Sequence, residues 1–219
     1  MKPIKRITLL ALSLVMVLGL TSCDALSSLG IGVSKPDMPM EMGFDDHTVV
    51  LGQTTTAEME SWGWNVQFTG SQNEIREDAK YVGCYYTISK GEGSGNEFWV
   101  TVWVPFQKNF KGEDGVDFSE EEKMSKTEGV VCLVNVRKDA AENFKMTYNG
   151  VDYQTLTWDM AEEWGAKPTD RSSDYSPIYE IAAAQGTVKF EKGYTGEDEP
   201  GELTVSMNSG AFSKLQKEQ

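Results

Sequence analysis

Two parts of the chain, about 100 residues apart, carry the same residues in the same order, and a repeat of this kind limits the folds open to a chain. A shift of 102 residues aligns Glu60–Gly63 with Glu162–Gly165 and Thr55 with Thr157. Chance similarity of two amphipathic helices is the alternative, but the shared order of helix and strands favours duplication. The sequence therefore predicts two tandem repeats, residues 44–137 and residues 138–219.

Alternation of apolar and polar residues predicts strands after the helix of each repeat. The segment at 179–184 fits either a strand or a helix begun by Ser176-Pro177, and the repeat favours the strand. The predicted fold class is α+β, with two tandem repeats of a short helix followed by antiparallel strands and with the helices packed on one face of the sheet. The clearest strands are Tyr81–Ser89, Phe98–Val104, Val130–Val136, Thr187–Glu191 and Glu202–Asn208.

Capping residues mark where helices begin. Thr55 is followed three residues later by Glu58, the spacing of a capping box, and Ser119 precedes a similar acidic stretch. The helix after Thr55 is predicted to end at Trp62, before a glycine. We expect Trp62 and its counterpart Trp164 to be core residues.

The N-terminus resembles a lipoprotein signal peptide. Three basic residues precede the apolar run Ile7–Leu20, and small residues then lead to Cys23. This run has 14 residues, whereas a membrane-spanning helix needs about 20. We therefore predict a signal peptide at residues 1–22 and a lipid on Cys23, which would hold the protein at the outer surface of the cell membrane, outside the cytoplasm.

Residues 23–43, which are rich in Gly, Ser, Pro and Met, are predicted to be a flexible tether. Loss of residues 1–22 would remove three of the 20 Lys and Arg residues and none of the 34 Asp and Glu residues. The remaining chain carries 17 basic and 34 acidic side chains. Such an excess of negative charge repels phosphate backbones, which argues against a nucleic-acid partner.

Few residues suited to metal binding or catalysis are present. The chain has one histidine, His47, and two cysteines besides Cys23, namely Cys84 and Cys132. These two either form a disulfide or are separate buried thiols on adjacent strands. We expect no metal, no cofactor and no catalytic residues, and we expect His47 to be a surface residue.

Four aromatic residues occupy strand positions where a solvated face would carry polar ones. Successive strand residues face opposite sides, so Tyr81, Tyr85, Trp99 and Trp103 should share one face, opposite an apolar face. Exposed rings there would form a binding surface. Alternatively, another part of the chain covers them and buries them as a second small core.

The two repeats share a loose pattern of capping, apolar and glycine positions. In the first repeat it consists of Val49, Leu51, Thr55, Glu58, Met59, Gly63 and Trp64, and in the second of Asn149, Gly150, Thr157, Trp164, Gly165 and Pro168. Through this pattern the chain after Cys23 looks most like poorly characterised lipoproteins of anaerobic Gram-positive bacteria. The plan of helix then strands is also similar to that of β-lactamase-inhibitor-protein-like and small outer-membrane-assembly lipoproteins. The resemblance implies an antiparallel sheet backed by helices and transfers no catalytic residues.

Three functions fit these features. The favoured one is a non-enzymatic binding module, anchored to the membrane through Cys23, that captures a protein or a glycan of the cell envelope. An envelope-polymer hydrolase that uses paired carboxylates is the second. A structural envelope protein without a specific ligand is the third.

Overall fold

Two antiparallel sheets organise the part of the chain that this computed structural model describes, residues 35–72, 80–90, 97–105, 119–138, 144–193 and 199–218. The helices are α1 (Thr56–Ser61), α2 (Ser119–Glu128), α3 (Trp158–Glu163) and α4 (Ser209–Glu218), with a 3-10 helix at Tyr153–Thr155. The strands are β1 (Glu41–Phe44), β2 (His47–Val50), β3 (Asn65–Ser71), β4 (Tyr81–Ser89), β5 (Glu97–Pro105), β6 (Val130–Arg137), β7 (Met146–Tyr148), β8 (Val151–Asp152), β9 (Lys167–Pro168), β10 (Ile178–Ala182), β11 (Gly186–Lys192) and β12 (Pro200–Met207).

The order of strands is mirrored about the middle of each sheet. The smaller sheet has the order β2-β1-β7-β8, and the larger has the order β3-β4-β5-β6-β12-β11-β10-β9. In the larger sheet β6 pairs with β12, with Val134 opposite Val205. In the smaller sheet β1 pairs with β7, with Phe44 opposite Met146. The α+β class with mainly antiparallel strands is confirmed.

The longest predicted strands agree with the structure. β4 has the predicted bounds, and the segment at 179–184 forms β10, in which Tyr179 pairs with Phe190 of β11. The short strands β1, β7, β8 and β9 were not predicted, because two to four residues are too few to show alternation. The seven-residue strand β3 was also not predicted. The C-terminal helix α4 was also not predicted.

Helices α1 and α3 begin and end in the same way. Thr55 Oγ1 accepts a bond of 3.2 Å from the Glu58 backbone N–H, and Glu58 Oε2 accepts one of 2.7 Å from the Thr55 N–H. This is the predicted capping box. Thr157 Oγ1 accepts a bond of 3.3 Å from the Met160 N–H, without a reciprocal acid. Both helices end at a tryptophan followed by a glycine with positive φ, a backbone region that favours glycine.

One face of the larger sheet is buried across β4, β5, β11 and β12 and is called the core face below. Phe44 of the smaller sheet stacks on Phe98 of the larger one, with ring centroids 4.2 Å apart, and so joins the two layers. Tyr86 on the core face bonds to Ser125 of α2. The core face is formed in both halves of the chain by side chains that are no more than 1% exposed: Val82, Cys84, Tyr86, Ile88, Val100, Val102, Val104, Val188, Phe190, Leu203 and Val205.

The predicted tether at residues 23–43 is too long at its C-terminal end. Met42 lies in β1 and is fully buried, and Met40 is 7% exposed. The reason is that alternate residues of this segment are methionines, which pack into the core although proline and glycine surround them in sequence. The signal peptide, Cys23 and the proposed tether up to residue 34 lie outside the described residues.

Candidate binding face

Strands β4 and β5 place the four aromatic residues on the face opposite the core face. Tyr85 is paired with Thr101, and Thr87 is paired with Trp99. Because the side chains of paired residues point to the same side of a sheet, Tyr81 and Trp103 lie on that side too. The sequence therefore located these rings on a common face, which is called the open face below.

The rings divide into two groups. Tyr81 and Trp103 are half-buried and nearly parallel, with centroids 6.1 Å apart and an interplanar angle of 12°. Phe212 of α4 contacts both edge-on, at 4.6 Å from Tyr81 and 5.0 Å from Trp103. Phe212 itself is only 2% exposed. At this end of the open face, the alternative of a second small core is therefore realised, with a helix of the second half as its cover.

Tyr85 lies further along the open face and is 41% exposed. A side chain added at the neighbouring Gly83 would lie 3.8 Å from both the Tyr85 ring and Gln72 Oε1, so these two groups flank the bare glycine. Burial, followed by the nearby sulfurs of Cys84 and Cys132, raises the pKa of Tyr85. Its phenol therefore keeps its proton at neutral pH and is available as a hydrogen-bond donor.

Trp99 is half-buried and lies on β5 away from the Tyr81–Trp103 pair. It is paired with Thr87 on one side and Asn135 on the other. Asn135 Nδ2 donates to Glu202 Oε1 at 2.7 Å and to Thr204 Oγ1 at 2.8 Å. Trp99 is four residues from Trp103 on one strand, a separation of about 13 Å. It therefore marks the boundary between the aromatic part of the open face and its polar part.

A cavity of about 640 Å³ opens beside the Tyr81–Trp103 pair and is called the α4 cavity below. Phe212 does not line it, so the cavity borders the parts of the two rings that Phe212 leaves uncovered. The polar groups around it are an amide, an ammonium and two hydroxyls. The described side chains that line it are Gln72, Lys80, Tyr81, Trp103, Ser209 and Ser213.

Cys84 and Cys132 are separate buried thiols, so the disulfide alternative is not realised. They are also not on adjacent strands, since β5 lies between β4 and β6. Two strand spacings amount to about 9.5 Å between Cα atoms, beyond the reach of a disulfide. Burial raises the pKa of Cys84 to about 12, and it raises that of Cys132 well above its ordinary value. Neither thiol is therefore an activated nucleophile.

The tryptophans that end α1 and α3 are half-buried at the margin of the core, and the prediction that they are core residues is wrong. The buried tryptophan is Trp64, which is 5% exposed and packs edge-on against Phe44. Trp62 instead stacks on His47, with centroids 4.6 Å apart. Trp62 is the C-cap of α1, whereas Trp64 lies directly before β3 and is buried.

A second cavity, of about 400 Å³, lies on the charged part of the larger sheet and includes the carboxylates Asp170, Glu180 and Glu191. Arg171 and Lys189 are interleaved with them, and Lys189 Nζ lies 2.5 Å from Glu191 Oε2. The carboxylates of this cavity are thus neighbours of cations rather than an isolated pair.

Comparison of the chain with protein-family models, with curated proteins and with solved structures gave no match. Within the described ranges, no group of three or more His, Cys, Asp and Glu side chains is placed to hold a metal ion. In the same ranges, no helix has the length and apolar character needed to cross a membrane.

The residue that sequence reasoning missed at this site is Phe212. The signal was present, because Asn208 is a good N-cap and apolar Ala211, Phe212 and Leu215 follow at helical spacing. In the structure Asn208 Oδ1 accepts a bond of 2.8 Å from the Ala211 N–H. That cap starts α4 and so sets the position of Phe212 over the two rings.

Proposed function

We propose that this protein is a lipoprotein held at the outer surface of the cell membrane by lipid on Cys23, and that it acts as a non-enzymatic binding module for a macromolecule of the cell envelope. The observation that carries the proposal is the α4 cavity, which has two aromatic walls and a rim of uncharged and cationic hydrogen-bonding groups. Apolar walls with a few polar groups are typical of ligand sites.

The composition of the cavity favours binding over hydrolysis. Among the described residues that line it, none is a carboxylate or a histidine. The buried thiols of Cys84 and Cys132 have raised pKa values and do not line the cavity. The carboxylates on the other half of the sheet stand beside Arg171 and Lys189, an arrangement typical of a solvated charged surface.

We also propose that the chain arose by tandem duplication. The expectation that the helices pack on one face of the larger sheet is wrong, because Ser125 of α2 bonds to Tyr86 on the core face, whereas Phe212 of α4 contacts Tyr81 and Trp103 on the open face. The mirrored strand orders and the shared caps of α1 and α3 support the duplication. Under this proposal β4 corresponds to β10, β5 to β11 and β6 to β12, as the mirrored strand orders require. The shift of 102 residues therefore applies to the helices and not to the strands, where it would align Tyr85–Ile88 of β4 with Thr187–Phe190 of β11.

Capture experiments test the binding function. The full chain, purified in detergent and immobilised, would be incubated with envelope material, and the retained protein and glycan would be analysed separately. Ser213→Leu fills the α4 cavity and replaces a poor helix former with a good one, so it should abolish retention without loss of stability. Lys214→Leu places the same residue at an exposed position of α4 outside the cavity lining and should retain binding. Equal retention by both variants would contradict the proposal.

Membrane attachment is tested by Cys23→Ala. Without the acceptor sulfur, the protein should leave the membrane fraction or keep its signal peptide, because lipid attachment is the proposed anchor. Fractionation with detection of the N-terminus measures this. A processed variant that stays in the membrane fraction would refute the lipid anchor and leave the binding site unaffected.

A further inference from the structure

The α4 cavity has the mixed character that a sugar ring requires, and we infer that the ligand is an uncharged glycan, with one sugar ring seated against Tyr81 and Trp103. This inference rests on the proposed binding function and adds the chemical class of its ligand. The cavity volume, about 640 Å³, lies within the range of small-ligand sites and exceeds what a single side chain of a docked peptide would fill.

The aromatic walls supply the apolar half of this site. A pyranose ring carries its C–H groups on one face, and these are weakly positive, whereas the faces of aromatic rings are negative. Tyr81 and Trp103 differ in orientation by only 12°, and Phe212 fixes both by edge-on contacts. The walls are therefore held in place before any ligand arrives, which lowers the entropic cost of binding.

The rim supplies the polar half. A sugar presents hydroxyls around its edge, and each can donate and accept. Gln72 and Lys80 lie on the sheet side of the cavity, and Ser209 and Ser213 lie on α4. Polar groups thus come to the cavity from both the sheet and α4. A purely apolar peptide side chain offers no hydrogen-bonding group to Lys80, Ser209 and Ser213, which disfavours a hydrophobic protein segment as the ligand.

The net charge of the protein disfavours an anionic glycan. The described residues that line the cavity carry one formal charge, that of Lys80. The protein as a whole is strongly acidic and repels anionic polymers at long range. The other side chains that line the cavity offer aromatic rings, hydroxyls and an amide. These groups bind the C–H groups and hydroxyls of a neutral sugar and do not require a charged ligand.

Calorimetric titration of the full chain in detergent with defined sugars tests this inference. The neutral panel comprises oligomers of glucose, xylose, mannose and N-acetylglucosamine, and the acidic comparison is an oligogalacturonate. We expect saturable binding of at least one neutral oligomer and weaker binding of the acidic one. Ser213→Leu should weaken the neutral interaction by at least about tenfold, while Lys214→Leu should leave it within about twofold.

Thermal unfolding of each variant ensures that a loss of binding is not a loss of fold. Sugar binding that Ser213→Leu leaves unchanged would place the glycan elsewhere and overturn the inference. If no neutral oligomer binds, while the capture experiment retains a protein that Ser213→Leu releases, the glycan inference fails and the binding function stands. If neither experiment detects a ligand at this cavity, both fail.

Discussion

The two halves of the larger sheet share a buried face and differ on the open one. On the core face, Val82 and Val100 of the first half are as deeply buried as Val188 and Val205 of the second. On the open face, the first half carries Tyr81, Tyr85, Trp99 and Trp103, whereas the second carries Thr187, Lys189, Glu191, Glu202, Thr204 and Ser206.

This contrast shows which positions the fold constrains. The core face must be apolar in both halves, because the smaller sheet covers it and burial of apolar surface stabilises the fold. The open face has no such requirement, so it is free to carry charge in one half and rings in the other. The aromatic rings on the open face therefore need a separate explanation. The structure offers two: the contact of Tyr81 with Phe212, and the α4 cavity beside the Tyr81–Trp103 pair.

The largest effect is expected from Phe212→Ala, which removes the cover of the aromatic half. Phe212 is 2% exposed, so its truncation should lower the free energy of unfolding by about 3–5 kcal/mol. Denaturant titration measures this. Lys214→Ala, at an exposed position of the same helix, is the control and should cost far less. A loss below about 1 kcal/mol for Phe212→Ala would show that the rings are a free surface without a second core.

A smaller effect distinguishes the caps of the two helices. Thr55→Ala removes one bond of a reciprocal capping box and should cost about 1 kcal/mol. Thr157→Ala removes one bond of 3.3 Å and should cost less. Thr55→Ser and Thr157→Ser retain the hydroxyl and should remain near wild type in the same unfolding measurement. If Thr157→Ala lowered the free energy of unfolding more than Thr55→Ala does, the cap of α1 would not be the more stabilising of the two.

The smallest effect concerns the turns of the two hairpins, at Asp45 and Asn149, both of which have positive φ. Asp45 accepts bonds from Lys90 Nζ at 2.7 Å and from the Lys145 N–H at 3.1 Å. Burial alone would raise the pKa of Asp45, but these bonds outweigh it and lower that pKa. Asp45→Asn, which gives the first turn the residue of the second, should therefore cost less than about 1 kcal/mol at neutral pH.

The pH dependence of that cost follows from its sign. A lowered native pKa means that the charged Asp45 stabilises the fold above the unfolded pKa of about 3.9. This stabilisation disappears as pH falls through the native value, so the difference between wild type and Asp45→Asn should vanish in strong acid. Asp46→Asn removes the same charge at an exposed position and should show no such dependence. A pH-independent difference at Asp45 would show that the ion pair contributes nothing.

Alternation was a good guide to the long strands and a poor one to the short elements. Tyr81–Ser89 was predicted with its observed bounds, because nine alternating residues leave little ambiguity. β1 was hidden in a segment that its prolines and glycines made resemble a linker. Trp62 was chosen over Trp64 because helical spacing was followed past the end of a helix of only six residues.

The candidate site was predictable in part for the same reason. Local alternation placed the rings on one face, whereas the contact of Phe212 with Tyr81 joins residues that are far apart in sequence. No local pattern contains that information. The division of the aromatic face into a covered pair and an exposed Tyr85 therefore required the structure.

The mirrored strand order also makes the central strand pairs of both sheets long-range in sequence, which affects when they form during folding. The pairing of β1 with β7 joins Gly43 to Thr147, and that of β6 with β12 joins Val134 to Val205. Such long-range ladders close slowly, because much chain must be ordered before either forms. During synthesis the N-terminal part of the chain emerges first, so β1 can pair only with β2 until β7 has been synthesised. During that interval the free edge of β1 is a site for pairing with other chains, and a chaperone would have to shield it.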